Sequence, residues 1–123
     1  MNEVVLIVDD DTSVLRTFSK LLQKAGYATE TAETGKEAIE KMGKRFYYVV
    51  LIDFRLTDMD GITLLEKISD HLISSVKILI TGFPSLDLGA KAMDMGFDAY
   101  VVKPVSPSDL LSLISEKLMS KKS

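Results

Sequence analysis

Val49-Val50-Leu51-Ile52-Asp53 is a run of four apolar residues that stops at a carboxylate. The same shape recurs along the chain. Val4–Val8 leads into Asp9-Asp10-Asp11, Val76–Ile80 into Thr81-Gly82, and Tyr100–Val102 into Lys103-Pro104. Short runs of this kind suit strands buried on both faces of a parallel sheet. Tyr27–Ala32 is more polar and alternates, as an edge strand does.

Helical spacing fills the gaps between the runs. Val14, Leu15, Phe18, Leu21, Leu22 and Ala25 share one face, and Ala38, Ile39 and Met42 share a shorter one. Leu64, Leu65, Ile68 and Leu72 mark a third helix, Ala90 and Met93 a weaker fourth, and Leu110, Leu111, Ile114 and Leu118 a fifth. The starts are legible. Thr34-Gly35-Lys36-Glu37 has the capping-box spacing, Asp60 can cap the third helix, and Ser106-Pro107 puts proline at a first helical position. Gly26 and Gly96 stand where a left-handed residue ends a helix. Five strands alternating with five helices predict an α/β fold, a parallel sheet with helices on both faces and right-handed crossovers.

The chain has 123 residues, 46% hydrophobic and 27% charged, which suits one globular domain, 1–123. It has no cysteine, so disulfides and thiolate metal sites are excluded. No apolar run approaches the roughly 20 residues that span a bilayer. Met1-Asn2-Glu3 lacks the basic start of a signal peptide. A cytoplasmic location, with no membrane contact, is the expectation. The net charge is −3 with no long basic run, so no nucleic-acid partner is expected for this domain.

Ligands of open α/β sheets bind beyond the carboxyl ends of the strands. There the sequence sets Asp9, Asp10, Asp53, Thr81 and Lys103. Carboxylates that close need a counter-charge. Mg²⁺ takes oxygen ligands, one or two carboxylates together with waters and a phosphate, and so accounts for the acids. A carboxylate such as Asp53 can attack phosphorus. Catalysis of that transfer is mainly positioning and charge stabilisation, which Lys103 and Mg²⁺ would supply. Thr81 offers a hydroxyl to a phosphoryl oxygen.

In order, Leu6-Ile7-Val8-Asp9-Asp10-Asp11, Leu51-Ile52-Asp53-Phe54-Arg55-Leu56 with Asp60-Gly61, Ile78-Leu79-Ile80-Thr81-Gly82 and Tyr100-Val101-Val102-Lys103-Pro104 resemble the receiver domain of two-component response regulators over nearly the whole chain. The resemblance implies a flavodoxin-like doubly wound five-stranded sheet of order 2-1-3-4-5. It makes Asp53 the acceptor of a phosphoryl group from a sensor histidine kinase, a phosphotransfer protein or a small phosphodonor. Asp10, Asp53 and the Arg55 backbone carbonyl would ligate Mg²⁺, with Asp9 acting through a metal-bound water. Thr81 and Lys103 would bind the phosphoryl group, and Tyr100 would be the switch aromatic. The fourth helix, fifth strand and fifth helix would carry the change to an output domain or downstream protein. No output domain is expected within this chain. The Lys103–Pro104 bond is expected to be cis. Three positions depart from the family pattern: Thr57 where Pro is common, Val105 where Phe is common, and Arg55 beside the acceptor.

Plainer readings compete. Asp9–Asp11 can start a helix, with Asp11 the best pure cap. Asp58 and Asp60 read as turn and cap residues. Tyr100 can be an ordinary core aromatic, Met93 and Met95 core filler and helix end, and His71 a solvated helix terminus. An aspartate-nucleophile phosphohydrolase is the main alternative function, but it needs a second Asp where Arg55 stands. A flavin module would need a Ser/Thr/Gly-rich loop where the chain has three aspartates.

Overall fold

The computed structural model describes residues 3–68 and 74–122. Its elements run β1 (Val4–Val8), α1 (Thr12–Lys24), β2 (Ala28–Ala32), α2 (Gly35–Met42), β3 (Val49–Asp53), α3 (Gly61–Ile68), β4 (Val76–Thr81), α4 (Leu86–Met95), β5 (Ala99–Val102) and α5 (Pro107–Lys122). All strand pairs are parallel, in the order β2-β1-β3-β4-β5. Strand side chains alternate between two cores, as the two-residue period requires. Leu6, Val8, Val50, Ile52 and Leu79 face α2, α3 and α4. Val5, Ile7, Leu51, Ile78 and Ile80 face α1 and α5. Each such side chain, fully buried, contributes about 1.5–3 kcal/mol.

The helix starts form as their side chains dictate. Asp11 accepts from the Ser13 amide at 2.9 Å, Thr34 from Glu37 at 3.0 Å, and Asp60 from Thr63 at 2.7 Å. Glu37 reaches back one residue further than a capping box requires, to the Glu33 amide at 2.7 Å. Gly26 and Gly96 have φ of +101° and +111°, the left-handed region expected at those helix ends. Leu72 and His71, assigned to the third helix from sequence, lie outside the described residues.

Several expectations are corrected. Ala90 and Met93 do not form the buried stripe of α4; both are exposed, Met93 at 52%. The inward stripe is Leu88, Ala92 and Met95. Leu86, Ala90 and Met93 have the same i, i+4, i+7 spacing, so periodicity offers two apolar stripes and the sheet selects one. Met93 is therefore no core filler. Ala25 is exposed because it is the C-cap of α1 and not part of its inward face. β5 is not buried on both faces. It is the edge of the sheet, and Val102 is exposed.

Lys77 interrupts the apolar run of β4 and is nonetheless buried. Its ammonium donates to the Ser75 carbonyl at 3.0 Å and lies 3.6 Å from Asp98, which also pairs with Lys121 at 3.2 Å. Burial pushes the Lys77 pKa down against the pull of Asp98. Gly61 opens α3 in a space that no side chain fits. A Cβ there would stand 2.8 Å from Leu79 Cδ1, 3.1 Å from Ile52 Cγ2 and 3.2 Å from the Asp53 carbonyl oxygen. Gly61→Ala is therefore expected to cost about 1–3 kcal/mol, the usual penalty of overpacking. Urea unfolding measures it, and an unchanged midpoint would contradict this packing.

Candidate functional site

β1 and β3 lie side by side and deliver their terminal acids to one spot. Carboxylate oxygens of Asp9, Asp10 and Asp53 lie within 4.8 Å of one another. Asp9 and Asp53 are buried, while Asp10 faces solvent. Lys103 enters from the end of β5. Its Nζ stands 2.8 Å from Asp53 Oδ1 and 3.2 Å from Asp9 Oδ2. The Lys103 amide donates to the Thr81 carbonyl at 2.8 Å, continuing the β4–β5 ladder past its end, and the Lys103–Pro104 bond is cis. The sheet thus brings together the acids, Thr81 and Lys103 as the sequence implied.

The remaining bonds orient these groups. Asp9 Oδ1 accepts from the Asp11 amide at 2.9 Å, and Asp53 Oδ2 from the Arg55 amide at 3.2 Å. Thr81 is buried at 1% exposure, and its hydroxyl accepts from the Phe83 amide at 3.0 Å, leaving its proton free to be donated. Asp53, Arg55, Thr81, Gly82, Phe83 and Lys103 line a crevice of about 130 Å³. Phe83 escaped notice in the sequence. Its exposed ring lies 4.2 Å from the Arg55 guanidinium carbon, a cation–π contact at the mouth of the crevice. An exposed aromatic two residues past Thr81 was the available signal.

Tyr100 is half-buried, neither a plain core aromatic nor a free surface residue. Its hydroxyl accepts from the Ser85 amide at 3.3 Å, at the N-cap of α4. Its ring lies against Gly89, where a Cβ would approach Cε2 to 3.3 Å. Asp58, read from sequence as a turn residue, reaches out of its own loop to the first turn of α2. Its two oxygens accept from the Gly35 and Lys36 amides at 2.9 and 3.0 Å.

The electrostatics of the acid cluster are unbalanced. Burial raises the Asp9 pKa, with the neighbouring Asp53 charge adding to the rise; the Asp11 amide and Lys103 oppose it. Burial works against the Lys103 charge, but the hydrogen bond and charge of Asp53, with Asp9 behind it, outweigh that and raise its pKa. One ammonium therefore faces three carboxylates. Oxygen donors at this separation, with an exposed member open to solvent and charge left over, fit a hard divalent cation.

Residues 5–115 match the family model described as the response regulator receiver domain, and the chain belongs to that family. Its structure is similar to that of a CheY-like response regulator receiver domain protein from Methanospirillum hungatei, with TM-score 0.95 and 39% identity over 99% of this chain and 98% of that one. It is also similar to the beryllofluoride-activated NtrC4 receiver domain dimer, with TM-score 0.91 and 33% identity over 96% and 98% of the two chains. The transcriptional regulatory protein ZraR of Klebsiella oxytoca is 33% identical over 93% of this chain but only 26% of its own length. The chain thus spans about a quarter of that curated relative. The doubly wound, flavodoxin-like fold is that of CheY-like receivers. No helix among the described residues is long and apolar enough to cross a membrane.

The raised Asp9 pKa has a consequence for stability. Below the ordinary pKa of 3.8 Asp9 is protonated whether folded or not. As pH rises through its folded pKa, the native state must bear an ionised buried carboxylate and loses stability. Asp9→Asn is expected to stabilise the metal-free protein at pH 7, with the gain vanishing below the unfolded pKa. Thermal melts across that range measure it, and a gain that persists in acid would contradict the assignment.

Proposed function

We propose that this domain is a phosphoacceptor switch in which Asp53 takes up the phosphoryl group. The observation that carries the reading is the Lys103 ammonium 2.8 Å from Asp53, at a crevice shared with Thr81 and bordered by two further carboxylates. An Asp53 oxygen attacks phosphorus. The bond from phosphorus to the donor breaks, and the leaving group departs with the electron pair. With a sensor histidine kinase or phosphotransfer protein as donor, that bond is the phosphorus–nitrogen bond of phosphohistidine. Lys103, its positive charge favoured by the raised pKa, neutralises charge on the transferred oxygens. The Thr81 hydroxyl donates its proton to one of them.

Mg²⁺ is the cation of choice; Asp10, Asp53 and the Arg55 carbonyl would hold it, and Asp9 would act through a bound water. When bound it would supply the positive charge that lets a phosphoryl group approach this acidic crevice. Arg55 favours a stoichiometric acceptor over a phosphohydrolase. The position that would need a second acid holds a guanidinium lying over Phe83.

The downstream change runs through α4, β5 and α5 to an output domain or a separate partner. Recruiting the Thr81 hydroxyl to the phosphoryl group moves the oxygen that accepts from the Phe83 amide and so pulls on the loop into α4. Tyr100, tied to Ser85 and seated on Gly89, links that loop to β5. The exposed stripe of α4, with Leu86 at 94% exposure, supplies a surface whose position would change. The beryllofluoride-activated form of the NtrC4 receiver supports an acceptor carboxylate in a domain of this shape.

Incubation with Mg²⁺ and a small phosphodonor is expected to add one phosphoryl group by intact mass, and Asp53→Asn to abolish the addition. Labelling of the variant at the wild-type rate would overturn the assignment. With beryllofluoride as phosphoryl mimic, amide hydrogen exchange is expected to change most between Gly82 and Val105. A largest change in α1 or α2 would contradict the proposed route while leaving the acceptor in place.

A further inference from the structure

The loop from Phe54 to Asp60 carries the Arg55 carbonyl, so its path decides whether that oxygen reaches a cation. Thr57 stands in it, so the loop lacks the fixed φ that a proline would give at that position. Within the loop, the Leu56 amide donates to the Met59 carbonyl at 3.1 Å and the Gly61 amide to the Phe54 carbonyl at 2.7 Å. Arg55 pairs with Asp60 in a single antiparallel bridge. These bonds shape the turn but do not tether its tip.

The tip is tethered by the next two side chains. Asp58 takes the Gly35 amide on one oxygen and the Lys36 amide on the other, two of the amides that α2 cannot satisfy internally. Those two bonds hold the Asp58 carboxyl below its ordinary pKa, so it stays ionised at neutral pH. Met59 lies on Gly35 so closely that a Cβ there would stand 2.5 Å from its Sδ. The loop tip therefore docks on the first turn of α2 through a charge-assisted fork and a thioether fitted to a glycine.

We propose that Asp58 is a positioning residue for the cation site: by fastening the loop tip to α2 it holds the Arg55 carbonyl and the Asp53 end of β3 in the geometry a cation needs. It touches neither the cation nor the phosphoryl group. The inference rests on the reading of Asp53 and its neighbours as a Mg²⁺-assisted acceptor. It also makes α2 sensitive to cation binding, since both share one loop.

The test is Mg²⁺ titration of the 123-residue wild type, Asp58→Ala and Asp58→Asn, followed by amide NMR shifts in the absence of any phosphodonor. The two variants carry the same charge, but only asparagine keeps an acceptor oxygen for α2. Loss of an outer partner of a metal ligand weakens affinity by about tenfold or more. Asp58→Ala is expected to show that loss in full, and Asp58→Asn, which keeps one acceptor oxygen but sets an NH2 against the second amide, an intermediate loss. Saturating Mg²⁺ should return Asp58→Ala to wild-type labelling. Equal losses in the two variants would mean that charge alone matters and would overturn the inference. So would wild-type affinity in Asp58→Ala, while Asp53 labelling stood. If Asp58→Ala does not fold, Asp58→Asn against wild type decides: a lower affinity is expected together with a shift of whichever of the Gly35 and Lys36 amides loses its acceptor, and wild-type affinity despite that shift would overturn the inference. A wild type with no saturable Mg²⁺ response would remove the underlying metal reading and this inference with it.

Discussion

The rest of the structure is arranged around one ammonium held between two buried carboxylates. Lys103 reaches Asp53 and Asp9 at 2.8 and 3.2 Å. Asp53 is the last residue of β3, Asp9 follows β1, and Lys103 follows β5, with β4 between β3 and β5. The contact therefore exists only if the parallel sheet forms in this order and register. It is also incomplete compensation: Asp10 joins the cluster, and burial with the Asp53 charge still drives the Asp9 pKa up. Native structures keep such crowding where function needs it. On the proposed function, the surplus negative charge would draw a cation, and the cation would offset the charge that otherwise repels a phosphoryl group.

Much of this was legible in sequence because the fold repeats one instruction. An apolar run specifies a buried strand, and the residue that ends it falls on the same edge of the sheet. Four runs leading into Asp9, Asp53, Thr81 and Lys103 thus point to one edge of the sheet, and the structure brings those side chains together there. The caps at Asp11, Thr34 and Asp60 were equally local, needing only a side chain two or three residues from its amide.

What sequence did not disclose depends on distance or on choice between equivalent patterns. The Asp58 fork spans 23 residues, and an aspartate in a turn has many local uses that look the same on paper. Lys77 read as part of an apolar run because its partner, Asp98, lies 21 residues away at the start of the neighbouring strand. α4 carries two apolar stripes of identical spacing, and only packing against the sheet chooses Leu88, Ala92 and Met95. Gly89 leaves room for the Tyr100 ring that lies on it, a contact between α4 and β5 that no local pattern announces.

The central claim is chemical: a phosphoryl group taken up by this domain resides as an acyl phosphate on Asp53. Borohydride reduction of the phosphorylated protein converts the modified aspartate to homoserine, and peptide sequencing locates it. Homoserine is expected at position 53 alone, dependent on both phosphodonor and Mg²⁺. Homoserine at position 9 or 10, or a phosphoryl group that survives borohydride on a hydroxyl or imidazole, would contradict it.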